Sequence, residues 1–333
     1  SDYQILSSDD LKGDFRNFTE RQKNHKYSIA HFENKFYVLT NLDAPNNRLM
    51  ETSLSKTNQS HWKEIIAHRN EEQVLEMEVF SKHLVLNERI NGLSVLRVFT
   101  GNFEEDYYID FDEETFASWI SRNREFDTNI LRYVYTSMKT PYSTYDYNMD
   151  KKEKVLLKKQ EVVGGYSDKE YQSERIYAQS RDGKRIPISL VYKKSRRNLK
   201  TAQNLILNGY GAYGDTEDPY FSSTRLSLLD RGFIYATANL RGSQIYGRQS
   251  YDDGKLLKKK NTFYDFIDAG KFLINENYTD KEHLFCYGGS AGGLLIGAVI
   301  NMEPDMWKGA IASVPFVDVV TTGLDPTIPL TTY

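Results

Sequence analysis

Residues 288–293 read Gly-Gly-Ser-Ala-Gly-Gly, and no other part of this sequence is better suited to carry chemistry. The apolar run 284–287 precedes them and the apolar run 294–300 follows. This pattern predicts a strand, a glycine-pinched turn and a buried helix, with Ser290 at the apex. Such a turn holds the serine in a strained backbone conformation and pushes its hydroxyl forward as a nucleophile for acyl transfer. Gly288 and Gly292 are small because strand and helix backbones approach closely there. Acyl transfer also needs two hydrogen-bond donors aimed at the developing oxyanion, each worth about 2.7–4 kcal/mol in the transition state. The first is the backbone N–H of Ala291, at the positive end of the helix. The second has to come from a loop after an earlier strand, and residues 208–214, Asn-Gly-Tyr-Gly-Ala-Tyr-Gly, form that loop. Tyr210 and Tyr213 offer hydroxyls there, with plain packing as the competing account of either in a chain of 24 tyrosines.

The elements that must position these residues fall into two textures. Up to about residue 160 the chain consists of short β-rich runs, at 27–32, 36–40, 62–66, 75–80, 84–89 and 94–100, with turn signals at Glu33-Asn34, 44–47, Asn91-Gly92 and 139–141. Groups of about four strands recur every 45–50 residues or so, the spacing of β-propeller blades, and about three groups fit. Closed propellers need roughly four to eight blades, so only part of one is expected. After Gly164-Gly165 strands at 176–179, 186–192, 204–208 and 233–238 alternate with helices at 224–230 and 263–275, then the serine turn, its helix and a last strand at 310–314. The expected fold class is therefore a partial β-propeller of about three blades (1–165) followed by the first part of an α/β-hydrolase fold (166–333).

Composition narrows the function classes. The chain has 333 residues, enough for two domains, and its 43 Lys plus Arg against 46 Asp plus Glu give a net charge of -3. That balance gives no reason to invoke a nucleic acid or a membrane surface as partner. The longest apolar stretch, 292–300, is far too short to span a bilayer, and the polar start carries no signal-peptide pattern. The lone Cys286 suits a reducing compartment, so a cytoplasmic protein is expected, with Cys286 as an apolar filler on the strand before the turn. No cofactor and no metal are expected. Residue 1 is not methionine, which suggests a cut or processed end.

With these residues in view, the second half resembles the catalytic domain of the prolyl oligopeptidase family, in particular its oligopeptidase B (protease II) branch. The matching stretches are 173–192, 209–214 (GYGAYG), 225–236, 253–266 (DGKLLKKKNTFYDF), 288–293 and 314–333, in the family's order. The resemblance implies Ser290 as nucleophile, Tyr210 completing an oxyanion hole with the Ala291 N–H, and Tyr213 lining the primary specificity pocket. It implies substrates that are short peptides cleaved after Arg or Lys. Asp218 matches one acidic residue of a neighbouring subsite, while the second acidic position is Tyr220. Ala291 differs from the Asn usual in prolyl-specific members. Residues 241–247, Arg-Gly-Ser-Gln-Ile-Tyr-Gly, depart from the Arg-Gly-Gly-Gly-Glu that relatives carry near the substrate.

In α/β-hydrolases an acid and then a histidine follow the serine. All six histidines here, His25, His31, His61, His68, His83 and His283, precede it. The sequence is therefore read as incomplete at both ends, with the triad acid and histidine and the pocket glutamates past Tyr333. His283 is read as a strand-edge residue, and Asp305, Asp318 and Asp325 as loop or surface residues. The acidic group Glu104, Glu105, Asp106, Asp110, Asp112, Glu113 and Glu114 is read as a solvated blade edge, and Lys258-Lys259-Lys260 as the solvated start of a helix. The competing accounts are an esterase, an acyl-aminoacyl or prolyl peptidase on the same fold, and a non-catalytic fragment. Oligomeric state is not readable.

Overall fold

The computed structural model describes residues 1–10, 12–100 and 105–328. In the first half the short apolar runs pair into three antiparallel meanders of four strands. The first is Tyr27–Phe32, Lys35–Thr40, Arg48–Ser53 and Lys63–Ile66. The second is Gln73–Val79, His83–Ile90, Leu93–Thr100 and Glu105–Tyr108; the third is Ala117–Ile120, Ile130–Thr136, Ser143–Asn148 and Glu153–Lys159. Asn91 and Gly92 both take positive φ (51° and 76°), the two-residue turn that matches the twist of the strands it joins. The meanders are three blades of a β-propeller, and the second and third touch edge to edge through one parallel pairing, Ala117 with Ser94. Val155, Leu156 and Leu157 on the last strand are exposed although successive side chains point to opposite faces, so the outer edge strand of the third blade is uncovered on both sides.

The second half is an α/β-hydrolase-like segment built on a mixed six-stranded sheet. Its strands are β1 (Tyr171–Gln179), β2 (Arg185–Lys193), β3 (Leu205–Gly209), β4 (Ile234–Ala238), β5 (Leu284–Gly289) and β6 (Gly309–Ser313), in the order β1-β2-β4-β3-β5-β6. β3, β4, β5 and β6 are parallel, and β1 and β2 extend the sheet as an antiparallel hairpin. The helices are α1 (Leu226–Asp230), α2 (Arg248–Asp252), α3 (Lys260–Asn275), α4 (Ala291–Met302) and α5 (Val319–Leu324). Leu205, Leu207, Ala236, Leu284 and Cys286 on one sheet face are buried against Phe266 and Leu273 of α3 and Leu295, Ile296 and Val299 of α4. Cys286 is the expected core filler. No helix among the described residues is long and apolar enough to cross a membrane.

Two readings of charged runs are corrected. Glu113 is not a solvated blade-edge residue: its carboxylate accepts from Tyr135, Ser137, Thr140 and, across the domain seam, Ser173 (3.0, 2.8, 2.5 and 3.0 Å). Four hydroxyl donors replace the water that the carboxylate gives up. Of the rest of that run, Asp106 pairs with Arg97, and Glu104 lies outside the described residues. The second correction concerns Lys259 and belongs to the active site below.

The seam between the halves is polar and specific. Asn46 of the first blade accepts from the Arg248 N–H (2.6 Å) and donates to the carbonyls of Arg69 and Asn70. Thr115 meets Ser189 at 2.7 Å. Arg89, on a propeller strand, grips Asp218 of the hydrolase segment with both guanidinium nitrogens (2.6 and 3.0 Å), and both side chains are about nine-tenths buried. Beside this pair Tyr220 packs between Trp119 and Tyr142 of the third blade. Truncating one member of a buried ion pair leaves the other charge without compensation, whereas replacing both with apolar groups is close to neutral. Arg89→Met in the full-length protein is therefore expected to cost about 3–5 kcal/mol, read by urea unfolding, and adding Asp218→Leu should recover most of the loss. Equal losses in the single and double variants would show that the pair does not hold the seam.

Candidate active site

β5 ends in Gly288-Gly289, and α4 begins at Ala291. A Cβ on Gly288 would lie 2.4 Å from the Gly292 carbonyl oxygen, and one on Gly292 would lie 2.7 Å from the Gly209 oxygen and 3.4 Å from the Tyr210 ring. No side chain larger than hydrogen fits at either point, as expected from the sequence. This close approach leaves one residue to reverse the chain, and Ser290 does so at φ 55°, ψ −115°, a region that non-glycine residues occupy only at a cost of about 1–3 kcal/mol. The strain is held by the Ser290 N–H donating to the Ser313 carbonyl (2.9 Å) and by the Phe316 N–H donating to the Ser290 carbonyl (3.1 Å). Ser290 is exposed at the tip, while Ala291 is buried.

The Tyr210 phenol lies close enough to the Ser290 hydroxyl for the two side chains to interact. Burial raises the Tyr210 pKa above the ordinary tyrosine value, with the negative charge of Asp215 and Glu217 adding to it and the nearby Ser290 hydroxyl opposing it. Tyr210 therefore stays protonated, as a donor must. The Ala291 N–H, the first of α4, has no intrahelical acceptor, and no side chain caps the helix. Three of the residues singled out in the sequence, Ser290, Ala291 and Tyr210, thus lie together where β3, β5 and α4 meet. Tyr213 lies on the same loop, also at positive φ (58°), with its ring exposed.

Asp218 is placed differently from its expected part in a substrate subsite. Both its oxygens are taken up by Arg89, and Tyr220, at the expected second acidic position, donates its hydroxyl to Asp218 at 3.3 Å. The carboxylate that faces the sheet is its neighbour Glu217. Asn208, at the end of β3, donates to the Glu217 side chain (2.9 Å), and Asn239, just past β4, bonds both backbone groups of Glu217 (2.9 and 3.0 Å). Burial raises the Glu217 pKa. The loop 241–247 is stitched to the Tyr210 loop by Gly214 N–H to Gly242 O (2.9 Å) and Gln244 N–H to Gly214 O (3.1 Å). Its start is fixed by Arg241, which is buried against Asp265 and also pairs with Asp182.

Lys259 is the second correction. Lys258 salt-bridges Asp253 in solvent as expected, but the Lys259 ammonium turns inward and donates to the Gly211 carbonyl at 2.5 Å. Its burial lowers its pKa to about 8. Arg89, Glu217 and Lys259 were all missed by the sequence reading. Arg89 lies on a strand, 83–90, that carries His83, Asn87 and Glu88 as well, so no local signal marked it as the buried partner of a carboxylate.

None of the six histidines is placed as a base for Ser290. His283 pairs with Asp280 (2.6 Å) at the opposite end of β5, roughly 20 Å away by strand rise. His25 bonds Thr40, His31 the Glu33 carbonyl and His83 Asp150; His61 lies in a short helical turn of the first blade. His68 lines a cavity of about 830 Å³ on the domain seam, and Ser290 is not part of that cavity's wall.

Two family models match the chain: the N-terminal β-propeller domain of prolyl oligopeptidase over residues 3–160, and the prolyl oligopeptidase family over residues 219–333. The chain belongs to the prolyl oligopeptidase family. Dipeptidyl aminopeptidase BI of Pseudoxanthomonas mexicana is 44% identical over 322 residues, covering 96% of this chain and 44% of that protein. Protease 2 of Moraxella lacunata is 37% identical, covering 100% of this chain and 47% of its own length. The structure of oligopeptidase B from Trypanosoma brucei with covalently bound antipain superposes with a TM-score of 0.89 at 37% identity, over 99% of this chain and 48% of that one. This member of the prolyl oligopeptidase family thus spans about half the length of the curated relatives it matches.

The elbow geometry makes a paired prediction. Gly288→Ala should destabilise the full-length protein by about 1–3 kcal/mol through overpacking. Gly289→Ala, whose Cβ would meet nothing closer than 3.7 Å, should shift stability by less than about 0.5 kcal/mol. Thermal unfolding of the two variants checks this, and equal shifts would contradict the close approach described.

Proposed function

We propose that the full-length protein is a serine oligopeptidase that cleaves short peptides after Arg or Lys through an acyl-enzyme on Ser290. The observation that carries this reading is the convergence of the Tyr210 hydroxyl and the Ala291 N–H on a serine held at positive φ. The Ser290 oxygen attacks the peptide carbonyl, its proton passes to a base, and the carbonyl oxygen becomes an anion between Tyr210 and Ala291. Collapse expels the amine, which takes up the proton, and water then hydrolyses the ester. Because none of the six histidines is placed at Ser290, the base is to be sought in the remaining length of the full protein.

The preference for a cationic residue is supported by the field at the site. Asp215 and Glu217 both act on Tyr210, and their negative charge favours a positively charged side chain next to the scissile bond. The pairing of Asp218 with Arg89 argues against a preference for two consecutive basic residues.

A second reading is release of dipeptides from a free N-terminus. The relative named dipeptidyl aminopeptidase BI favours it, and a carboxylate on the 215–218 loop is the group that would hold a terminal ammonium.

The test is a panel of fluorogenic peptides on the full-length protein, varied at the residue before the cleaved bond and offered with free or blocked N-termini. The proposal expects Arg and Lys peptides to exceed Ala, Pro and Glu peptides by at least about 100-fold in kcat/KM, roughly 2.7 kcal/mol, and Ser290→Ala to abolish turnover. Equal rates across the panel would sink the basic preference. A requirement for a free amine would select the dipeptidyl reading.

A further inference from the structure

We propose that Lys259 is a positioning residue for acyl transfer at Ser290, holding the loop that carries Tyr210 by gripping the Gly211 carbonyl. This inference rests on the reading of Tyr210 as an oxyanion donor.

The geometry points to it from three sides. Gly211 follows Tyr210 directly, and its carbonyl oxygen accepts from the Lys259 ammonium at 2.5 Å, with the Thr262 hydroxyl also near it at 3.5 Å. Gly211 has φ 66°, and a Cβ there would fall 2.3 Å from Thr262 Cγ2 and 3.1 Å from the Arg241 carbonyl. The loop is therefore pressed against the first turn of α3, and Lys259 is the residue that flanks that turn. On its far side the loop is bonded through Gly214 to residues 242 and 244. Tyr210 sits between the end of β3 at Gly209 and these anchors, so its backbone is set from both sides and the aim of its hydroxyl follows from that.

A lysine is a poor choice here for stability alone. It stands at the positive end of a sixteen-residue helix, where a cation is disfavoured. Among the described residues it has no carboxylate within ion-pair range, while Lys258 next to it has Asp253. Burial lowers its pKa to about 8, which shows the charged form to be disfavoured where it sits. A neutral residue would cost the fold less. A side chain that works against the fold beside a reacting loop is the pattern expected where function sets the residue. Lys259 touches the carbonyl of the residue after Tyr210, not the reacting atoms, so it acts through the loop.

The experiment uses the full-length protein with Lys259→Met, Tyr210→Phe and the pair, read by steady-state kinetics on an Arg-containing fluorogenic peptide and by amide hydrogen exchange. Lys259→Met is expected to lower kcat about 10- to 100-fold, the scale of a small misplacement of a catalytic group, with KM within about 3-fold. Added to Tyr210→Phe it should cost less than about 3-fold more, because both changes act through one hydroxyl. Exchange of the Gly214 and Asp215 amides should speed up at least about 10-fold, with β3 and α3 unchanged. If Lys259→Met does not fold, Lys259→Gln is read by the same measurements. A kcat within 2-fold of wild type, fully multiplicative losses, or unchanged loop exchange would each overturn the role of Lys259. Turnover surviving in Ser290→Ala would overturn the acyl-transfer reading instead, and the exchange data would still judge Lys259.

Discussion

Everything at this site depends on three backbones meeting where there is room for no side chain. The end of β5, the start of α4 and the end of β3 come so close that Gly288 and Gly292 cannot carry a Cβ. Ser290 takes up the reversal at positive φ, so its hydroxyl stands clear of the sheet while the N–H groups of α4 point the same way. Because Gly292 abuts the Gly209 carbonyl, the next residue on that strand, Tyr210, is brought beside the serine. One steric constraint thus brings Ser290, Tyr210 and the Ala291 N–H together. Strain at Ser290 is the local cost of that arrangement.

The loop from Tyr210 to Tyr220 carries this constraint outward. Near the sheet it is clamped by Asn208 and Asn239 on Glu217 and, through Gly211, by Lys259. At its far end Asp218 and Tyr220 are held by the propeller through Arg89, Trp119 and Tyr142. The same eleven residues therefore link the surroundings of Ser290 to the domain seam. A change in how the two halves sit would be felt at Tyr210 through covalent connection and a few hydrogen bonds. The propeller is in this sense part of the active-site support.

How much of this was legible in the sequence depended on whether the signal was local. The serine turn is spelled by contiguous small residues between two apolar runs, so strand, elbow and helix could be read from 284–300. The blades were legible as alternating runs with turn residues, and Asn91-Gly92 adopts the positive φ values its composition implies. Long-range pairings were not legible. Nothing within 83–90 says that Arg89 meets a carboxylate 129 positions later, and so Asp218 looked free for substrate. In the same way Lys258, Lys259 and Lys260 are indistinguishable as a charge run. Only the packing of α3 against the Gly211 turn separates the middle one from its solvated neighbours.

The central claim is that Ser290, Tyr210 and the Ala291 N–H form one acyl-transfer site. A crystal structure of the full-length protein with a peptide aldehyde ending in arginine tests it most directly. The account predicts a covalent bond from the Ser290 oxygen to the aldehyde carbon, with the resulting oxygen about 2.7–3.1 Å from both the Tyr210 hydroxyl and the Ala291 nitrogen. An adduct on another residue, or an oxygen that meets neither donor, would contradict it.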